Sequence, residues 1–220
     1  MSQTPHAVIW DLDGVIIDSA EEHRRAWQRM AREDGISFTD ADFWATFGKR
    51  NDDIIPPHWG SVSPERLKAL ADRKERYFRE YIKNAAVALP GSMELMRGLH
   101  EAGFRQALAS STPVENIRLI SDVLHLEHYL TELVSGESVA RGKPSPDIFL
   151  KAAADLHVPP SHSLVIEDAV AGIQAARAAG MRCIAVAGER DLPGLRVADL
   201  VVHNLTEVSV ERIQQIFASA

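Results

Sequence analysis

The stretch AVIWDLDGVIIDS, residues 7–19, joins a short apolar run to two aspartates, Asp11 and Asp13. A short apolar run bounded by turn-forming residues is typical of a buried strand in a parallel sheet. In such a sheet, ligands bind beyond the carboxyl ends of the strands. Two carboxylates this close in sequence repel each other and add nothing obvious to the stability of the fold. The stretch therefore predicts the first strand of an α/β protein, with a chemical site at its carboxyl end.

Short apolar runs of the same kind alternate with helical patterns along the rest of the chain. We predict strands at residues 6–11, 105–110, 132–136, 163–168, 182–187 and 198–202. Thr112 followed by Pro113 predicts one of the helices, with Thr112 as its N-cap. Alternating strands and helices are typical of a parallel sheet covered by helices. The predicted fold class is α/β, with a Rossmann-like parallel-sheet core.

Residues 16–87 interrupt this alternation. They carry helical patterns, such as SPERLKALADRKERYFREYIKN at residues 63–84, and no convincing strand. A crossover between parallel strands normally needs a single helix, so this interval is too long for one crossover. We predict an inserted helical cap at residues 16–87 and an α/β core built from residues 1–15 and 88–220.

The composition is that of an ordinary globular protein, and it excludes several classes of partner. Of 220 residues, 24 are Lys or Arg and 31 are Asp or Glu, which gives a formal net charge of −7. An acidic chain without a basic run disfavours nucleic acid and anionic membranes as partners. No apolar run reaches the roughly 18 residues that a membrane helix needs, and the N-terminus lacks the features of a secretory signal. Cys183 is the only cysteine. We expect a cytoplasmic monomer without disulfides.

Polar side chains follow several of the predicted strands, and together they indicate chemistry on a phosphate group. They are Asp11, Asp13, Ser110, Ser111, Thr112, Glu167 and Asp168, joined by Lys143 from a loop. Carboxylates at this density require a cation, and hard oxygen ligands suit Mg²⁺ better than zinc. A lysine, serine hydroxyls and a helix N-terminus suit an oxyanion such as phosphate.

The two aspartates of the first run suit complementary roles. With a reference pKa of about 3.9, Asp11 is ionised at neutral pH and can attack phosphorus without a base. Other negative charges would raise the pKa of Asp13, which could then donate a proton to the leaving oxygen. Each polar residue alone has a simpler interpretation, as a turn, a helix cap or a solvated loop. Their convergence on one edge of the sheet favours a site.

Four segments resemble the motifs of the haloacid dehalogenase superfamily, whose phosphotransferases use an aspartate nucleophile. They are DLDGV (11–15), LASST (108–112), GKPSPDIF (142–149) and VIEDAVAGIQAARAAGM (165–181). Their order and spacing, with a helical insertion after the first motif, agree with the subgroup that bears a small helical cap. The segment DSAEEHRRAWQ (18–28) is similar to the β-phosphoglucomutase-like branch. The resemblance covers nearly the whole chain and implies a Mg²⁺-dependent enzyme.

The resemblance implies catalytic roles for three of these residues. Asp11 would be the nucleophile that forms an aspartyl-phosphate. Asp13 would act as general acid and then as general base, while its backbone carbonyl binds Mg²⁺. Lys143 would bridge Asp11 and the phosphate.

The resemblance also implies which residues hold the phosphate and the metal. Ser110 and the backbone amide of Ser111 would hold the phosphoryl oxygens. Asp168, supported by Glu167, would complete the metal site with the two aspartates of the first motif.

The predicted cap carries a second set of candidates, which would contact the substrate. They are His23, Lys49, Arg50, Asn51 and Lys74. The segment FGKRNDDII (47–55) resembles the loop that selects the substrate, and DRKERYF (72–78) carries a lysine where related enzymes use a basic residue. The alternative is that these side chains occupy exposed helix faces and that the histidine is an ordinary surface residue.

Two departures distinguish this chain from the sugar-phosphate mutases of the branch. Those mutases carry a basic residue and an asparagine soon after the second-motif serines, where this chain has Thr112-Pro113-Val114. Their cap arginine lines up with Asn51, unless Arg50 substitutes for it. A mutase needs firm cationic contacts to a second phosphate. We therefore predict a Mg²⁺-dependent phosphatase of a small phosphorylated metabolite, with a sugar phosphate favoured, and a mutase as the alternative. A non-catalytic phosphate-binding protein is disfavoured by the complete set of acidic groups.

Overall fold

The computed structural model describes residues 5–190 and 192–219, and a parallel sheet lies at its centre. The strands are β1 (Ala7–Trp10), β2 (Arg105–Ser110), β3 (Glu132–Ser135), β4 (Ser163–Glu167), β5 (Arg182–Val186) and β6 (Leu200–Val202). Their order across the sheet is β3-β2-β1-β4-β5-β6, and every neighbouring pair is parallel. The predicted α/β fold is confirmed. Residues 1–4, 191 and 220 of the predicted core lie outside the described residues.

Helices follow the strands along the chain, and some of them cover the two faces of the sheet. They are α1 (Ala20–Glu33), α2 (Asp40–Thr46), α3 (Asn51–Trp59), α4 (Pro64–Ile82), α5 (Ser92–Glu101), α6 (Val114–Leu124), α7 (Asp147–Asp155), α8 (Val170–Ala178) and α9 (Val210–Ala218). The buried side chains of α5, α6 and α9 share one apolar cluster, and those of α7 and α8 share another. Within the described ranges, no helix combines the length and the apolar character of a membrane span.

The position of β1 explains why its sequence is continuously apolar. Val8 and Trp10 pack in the cluster that contains α5, whereas Ala7 and Ile9 pack in the cluster that contains α7. Alternate side chains of a strand point to opposite faces, and both faces of this sheet are covered. Because β1 lies between β2 and β4, Asp11 emerges at the middle of the carboxyl edge. This is where the strand order reverses and where sheets of this type bind ligands.

Helices α1–α4, here called the inserted helices, lie between β1 and α5 in the chain. Helix α1 packs on α4, and Ala26, Trp27 and Met30 of α1 are buried together with Leu70 and Phe78 of α4. Their apolar interior belongs to the same cluster as the α5 face of the sheet. The division into a cap at residues 16–87 and a core at residues 1–15 and 88–220 stays a prediction.

The predicted capping role of Thr112 is wrong. Helix α6 begins at Val114 after Pro113, and no side-chain hydrogen bond caps it. The hydroxyl of Thr112 instead accepts a hydrogen bond of 2.9 Å from the side-chain amide of Asn116. The helix starts later than expected because Pro113 has an extended conformation (ψ 153°).

Candidate active site

The carboxyl ends of β1 and β4 bring three carboxylates together. Trp10 is in register with Ile166, and the Asp11 amide donates a hydrogen bond of 3.0 Å to the Ile166 carbonyl. Asp11 therefore lies beside Glu167, and Asp168 follows directly in the chain. One carboxylate oxygen of each of these three acids lies within 4.8 Å of the others, and all three residues are buried. We call Asp11, Glu167 and Asp168 the carboxylate cluster.

Lys143 reaches this cluster from the loop that precedes α7. Its Nζ donates hydrogen bonds of 2.6 Å to Oδ1 of Asp11 and 2.6 Å to Oε1 of Glu167. The side chain is 3% exposed. Burial acts to lower the pKa of Lys143, but the two carboxylates outweigh it and hold that pKa above its usual value. Lys143 is therefore a buried cation that offsets part of the negative charge.

Two glycines make room for the cluster. A Cβ atom on Gly14, whose φ is +82°, would collide with the carboxylate of Asp168. A Cβ atom on Gly172, in the first turn of α8, would collide with the carboxylate of Glu167. At both positions the backbone therefore lies so close to the carboxylate that only glycine, which has no Cβ atom, fits.

The electrostatics of the cluster fit a divalent cation. Burial raises the pKa of Asp11 well above its usual value, against the opposing charge of Lys143, and the other acids add to the rise. Burial also raises the pKa of Asp168 to about 7, with a contribution from the charge of Glu167. Full ionisation of the cluster therefore needs more positive charge than Lys143 supplies. Three carboxylate donors suit Mg²⁺, and a bound cation reverses such pKa shifts.

Arg190 is a contact to the cluster that sequence reasoning missed. Its Nη2 donates a hydrogen bond of 2.9 Å to Oδ2 of Asp168 and a longer one of 3.3 Å to the backbone carbonyl of the same residue. The side chain is about one-third exposed, at 31%. A single charge in an irregular loop has no periodicity, so the sequence contains no signal for this partner.

Asp13 points away from the carboxylate cluster. Its carboxylate accepts a hydrogen bond from the Ser19 hydroxyl, and its Oδ1 lies 3.5 Å from Nε2 of His23. Burial acts to raise the pKa of Asp13, but His23 and Ser19 outweigh it and hold that pKa below its usual value. The expectation of a raised pKa is wrong, because β1 ends at Trp10 and the alternation of an extended strand does not continue to Asp13. Its side chain is not one of the clustered ligands, and metal binding by its carbonyl stays a prediction.

The two serines that follow β2 lie at the same edge of the sheet. Ser110, the last residue of β2, is buried, and its hydroxyl accepts a hydrogen bond of 3.2 Å from the Thr112 amide. Ser111 lines a cavity together with Asp13. The strand β2 ends at Ser110, as predicted, and Ser111 follows it. The role of these serines as phosphate ligands stays a prediction.

His23 and Lys74 are buried beside Asp13. Nζ of Lys74 lies 2.7 Å from Nδ1 of His23, whose other ring nitrogen faces Asp13. The His23 ring stacks on Phe78 with a centroid distance of 3.8 Å. The alternative that these two side chains occupy exposed helix faces is wrong, because both lie where α1 and α4 pack together.

Glu75 is the second residue near the site that sequence reasoning missed. Its Oε1 accepts hydrogen bonds of 2.9 Å from Lys74 and 2.9 Å from Asn51, and its Oε2 accepts one of 2.6 Å from Asn116. Burial acts to raise the pKa of Glu75, but the charges of Lys74 and His23 outweigh it and keep that pKa below its usual value. Phe78 and Ile82 follow Glu75 at the spacing of one helix face, and this periodicity indicates that position 75 is buried.

Arg50, unlike the other cap candidates, does not line the cavity that contains Asp13. Its Nη1 donates hydrogen bonds of 3.3 Å and 3.2 Å to the backbone carbonyls of Gly136 and Val139, and its Nη2 donates one of 3.3 Å to Asp52. The loop after β3 thus takes the guanidinium that we expected to contact the substrate. Arg50 links the inserted helices to the rest of the molecule, and its predicted contact with the substrate stays a prediction.

A narrow cavity lies between the carboxyl edge and the inserted helices. Its volume of about 50 Å³ has room for a few water molecules, so a sugar phosphate would have to extend into adjoining space. Its lining includes Asp13, His23, Lys49, Asn51, Lys74 and Ser111. A wider groove of about 530 Å³ shares Asn51, Glu75 and Ser111 with this cavity. Of these two spaces, Lys49 lines only the narrow cavity, and it is exposed to solvent.

Comparisons with known proteins agree with this geometry. The family model described as haloacid dehalogenase-like hydrolase matches residues 5–180. The chain is 31% identical over 200 residues to validoxylamine A 7'-phosphate phosphatase of Streptomyces hygroscopicus subsp. limoneus, covering 91% of this chain and 94% of that protein. It is 34% identical over 218 residues to the β-phosphoglucomutase of Bacillus subtilis, covering 95% and 94% of the two chains.

A solved structure extends the similarity to the whole fold. The β-phosphoglucomutase of Clostridium difficile superposes with a TM-score of 0.88 at 28% identity, and the match covers 98% of each chain. The chain therefore belongs to the haloacid dehalogenase-like hydrolase family and is an enzyme of its phosphatase and β-phosphoglucomutase-like branch, as its motifs predict.

Proposed function

We propose that the protein is a Mg²⁺-dependent phosphatase that hydrolyses a small phosphorylated metabolite, with a sugar phosphate favoured, through an aspartyl-phosphate. The observation that carries the proposal is the contact of Lys143 with Asp11 and Glu167, at 2.6 Å each, inside the buried carboxylate cluster. Buried charges add little net stability to a fold. Strongly shifted pKa values at the ligand-binding edge of a sheet are typical of a catalytic site.

In the proposed first step, a carboxylate oxygen of Asp11 forms a bond to phosphorus while the bond between phosphorus and the ester oxygen breaks. Lys143 orients this carboxylate and offsets its charge as the phosphate dianion approaches. The Ser110 hydroxyl and the Ser111 amide hold the phosphoryl oxygens.

The proposed metal ligands are the carboxylate cluster and the backbone carbonyl of Asp13. Bound there, Mg²⁺ would supply the positive charge that lets Asp11 stay ionised beside the incoming phosphate.

Asp13 is the proposed proton carrier. It protonates the departing ester oxygen, and its carboxylate then takes a proton from the water that attacks phosphorus, which releases phosphate and regenerates Asp11. The lowered pKa of Asp13 suits the second of these steps. A phosphate dianion beside it would raise that pKa and so favour the first.

The inserted helices act in this proposal as the cap over the site. His23, Lys49, Asn51 and Lys74 line the narrow cavity, and we propose that they contact the metabolite. The relative named as a phosphatase of a phosphorylated compound supports a small phosphorylated substrate. We further propose that the protein acts in the cytoplasm as a monomer and binds neither nucleic acid nor a membrane.

A sugar-phosphate mutase is the second candidate function, because the Bacillus relative and the Clostridium structure both bear that name. A mutase must hold a bisphosphate intermediate in two orientations. The guanidinium of Arg50 already donates hydrogen bonds to the carbonyls of Gly136 and Val139, so it is less available to a second phosphate. Hydrolysis is therefore the favoured outcome.

The test is a phosphate-release screen over sugar phosphates, phosphoglycolate and nucleotides, run with Mg²⁺ and with a chelator. We expect release with Mg²⁺ only, and none from Asp11→Asn. A parallel assay follows the conversion of β-glucose 1-phosphate to glucose 6-phosphate with a bisphosphate primer. Efficient conversion would favour the mutase, and turnover by Asp11→Asn would contradict the covalent mechanism.

A further inference from the structure

We propose that Glu75 selects the substrate by charge, so that the enzyme hydrolyses monophosphates of uncharged polyols and rejects metabolites that carry a second phosphate. This inference rests on the proposed phosphatase function and deepens it. Three observations support it: the position of Glu75, the pairing of the nearby Lys and Arg side chains with other groups, and the charge of the adjoining groove.

Glu75 lies at the junction of two spaces. It lines both the narrow cavity that contains Asp13 and the wider groove that opens beyond it, and Ser111 also lines both. A metabolite whose phosphate lies beside Ser111 therefore extends past the Glu75 carboxylate. Glu75 is buried, with 4% of its side chain exposed, so water screens its charge poorly.

The basic residues nearest to Glu75 are already paired. The ammonium of Lys74 lies 2.9 Å from Oε1 of Glu75, so this cation is engaged by Glu75 and is not free to bind a phosphate. Asn51, which presents an amide to the cavity, donates its hydrogen bond to the same oxygen. Arg50 is bonded to backbone carbonyls and to Asp52. These contacts leave no firm cationic site for a second phosphate next to Glu75.

The wider groove is acidic as well. Among the described residues that line it, five are Asp or Glu and three are Lys or Arg. Lys68 is paired with Asp72 at 2.7 Å, and Arg79 donates a hydrogen bond of 2.9 Å to Asn116. Lys49 lines the narrow cavity instead and is exposed to solvent, where a lone charge contributes little. A second phosphate in this groove would meet a net negative charge.

The same surroundings suit hydroxyl groups. The Glu75 carboxylate can accept further hydrogen bonds, the Asn51 amide can donate and accept, and Trp27 and Phe47 form apolar walls of the cavity. A few polar groups set among aromatic side chains are typical of sites for small polar metabolites. An uncharged polyol therefore matches the donors, the acceptors and the charge of this space.

The experiment compares kcat/KM for fructose 1-phosphate with that for fructose 1,6-bisphosphate, and does the same for glucose 1-phosphate and glucose 1,6-bisphosphate. We expect the wild-type enzyme to have a higher kcat/KM for the monophosphate than for the bisphosphate. Glu75→Gln should lower the ratio of monophosphate to bisphosphate kcat/KM by roughly tenfold or more, since it leaves Lys74 without its counter-charge. The ratio within one enzyme cancels any common effect on catalysis. Glu80→Gln is the matched control, because it makes the same change on α4 at an exposed acid paired with Arg29.

The outcomes separate this inference from the function on which it rests. An unchanged ratio in a Glu75→Gln enzyme that still hydrolyses the monophosphates would overturn the selection by charge alone. Failure of the wild-type enzyme to hydrolyse any monophosphate would overturn the proposed function and this inference together. If Glu75→Gln does not fold, Asn51→Arg decides, because an arginine there adds a positive charge beside a carboxylate that Lys74 already pairs. A tenfold fall in its ratio would support the inference, and an unchanged ratio would overturn it.

Discussion

The Nζ of Lys143 lies 2.6 Å from Oδ1 of Asp11, although 132 positions separate the two residues in the sequence. The lysine comes from the loop before α7 and the aspartate from the end of β1. Both side chains are buried, and the same ammonium holds Glu167. Loss of one partner of a buried ion pair is costly because the other charge stays behind. This contact therefore links the stability of the fold to the proposed chemistry.

Replacing Lys143 tests that link. With the chelated protein, we expect Lys143→Met to lower the free energy of unfolding by roughly 3–5 kcal/mol, since Asp11 and Glu167 lose their counter-charge. Phosphate release should fall by more than about 10²-fold. Urea unfolding with and without Mg²⁺ measures the first effect, and the metal should restore part of the loss. Lys151→Met, at a half-exposed lysine of α7 paired with Asp155, is the control; equal losses in both variants would contradict the assignment.

Asp13 and Asp168 should separate proton transfer from metal binding. Asp13→Asn removes the proposed proton carrier, and we expect turnover to fall by roughly 10²–10⁴-fold. Its affinity for Mg²⁺, measured by titration calorimetry, should stay close to that of the wild type because the side chain is outside the carboxylate cluster. Asp168→Asn should weaken Mg²⁺ binding instead. A rate loss below tenfold in Asp13→Asn, or a parallel loss of metal affinity, would count against these roles.

The stability of the chelated protein should fall as the pH rises. Burial raises the pKa of Asp168 to about 7, above the value of about 3.9 expected in the unfolded chain. Between these values the folded protein binds more protons than the unfolded chain, so its free energy of unfolding decreases with increasing pH. Between pH 5 and pH 8 this group should lower the free energy of unfolding by roughly 3 kcal/mol. Denaturation at pH 5 and pH 8 in the presence of chelator measures it.

Two controls apply to the pH dependence. Asp168→Asn should make the profile shallower, because the asparagine does not titrate, while Asp11, whose pKa is also raised, keeps its own contribution. Saturating Mg²⁺ should also flatten it, because the cation stabilises the ionised form. A profile in Asp168→Asn that is as steep as that of the wild-type protein would show that another group is responsible.

The contact of Arg50 with the loop after β3 should control the position of the inserted helices. Arg50→Ala removes the hydrogen bonds to the carbonyls of Gly136 and Val139, so we expect a larger radius of gyration by small-angle scattering. A metal-fluoride mimic of phosphate should restore the compact form, because closure of such segments follows ligand binding. Arg25→Ala is the control, since Arg25 stacks on Tyr81 within the inserted helices. Identical scattering of Arg50→Ala and the wild-type protein, with no response to the mimic, would refute this role.

Much of the fold was predictable because its signals are local. The apolar run of β1 is continuous since both faces of the strand are covered, and the same holds for β4. The acids at the ends of these strands meet because parallel neighbours end at one edge. Lys143 joins them there, as the motif that contains it predicts.

The errors concern charged side chains whose partners come from other elements. Asp13 was expected beside negative charges and lies beside His23 and Ser19. The sequence also contains no signal for the hydrogen bonds of Arg50 to backbone carbonyls of the loop after β3. Glu75 was not singled out and accepts three hydrogen bonds. Neither the direction of such a side chain nor its partner is encoded in periodicity.

The amino-acid sequence by itself predicted the succession of strands and helices along the chain, because apolar spacing is read within a few residues. It also predicted that Asp11, Lys143, Glu167 and Asp168 meet at one edge of the sheet. The central position of β1 in that sheet came from the structure. The packing of α1 against α4 decided how His23, Lys74 and Glu75 are paired, how these pairs lower the pKa values of Asp13 and Glu75, and which space is left for a substrate. Those properties depend on burial and on distances between remote parts of the chain. The free energy of a charge is set by its surroundings in three dimensions, and only the folded molecule brings those surroundings together.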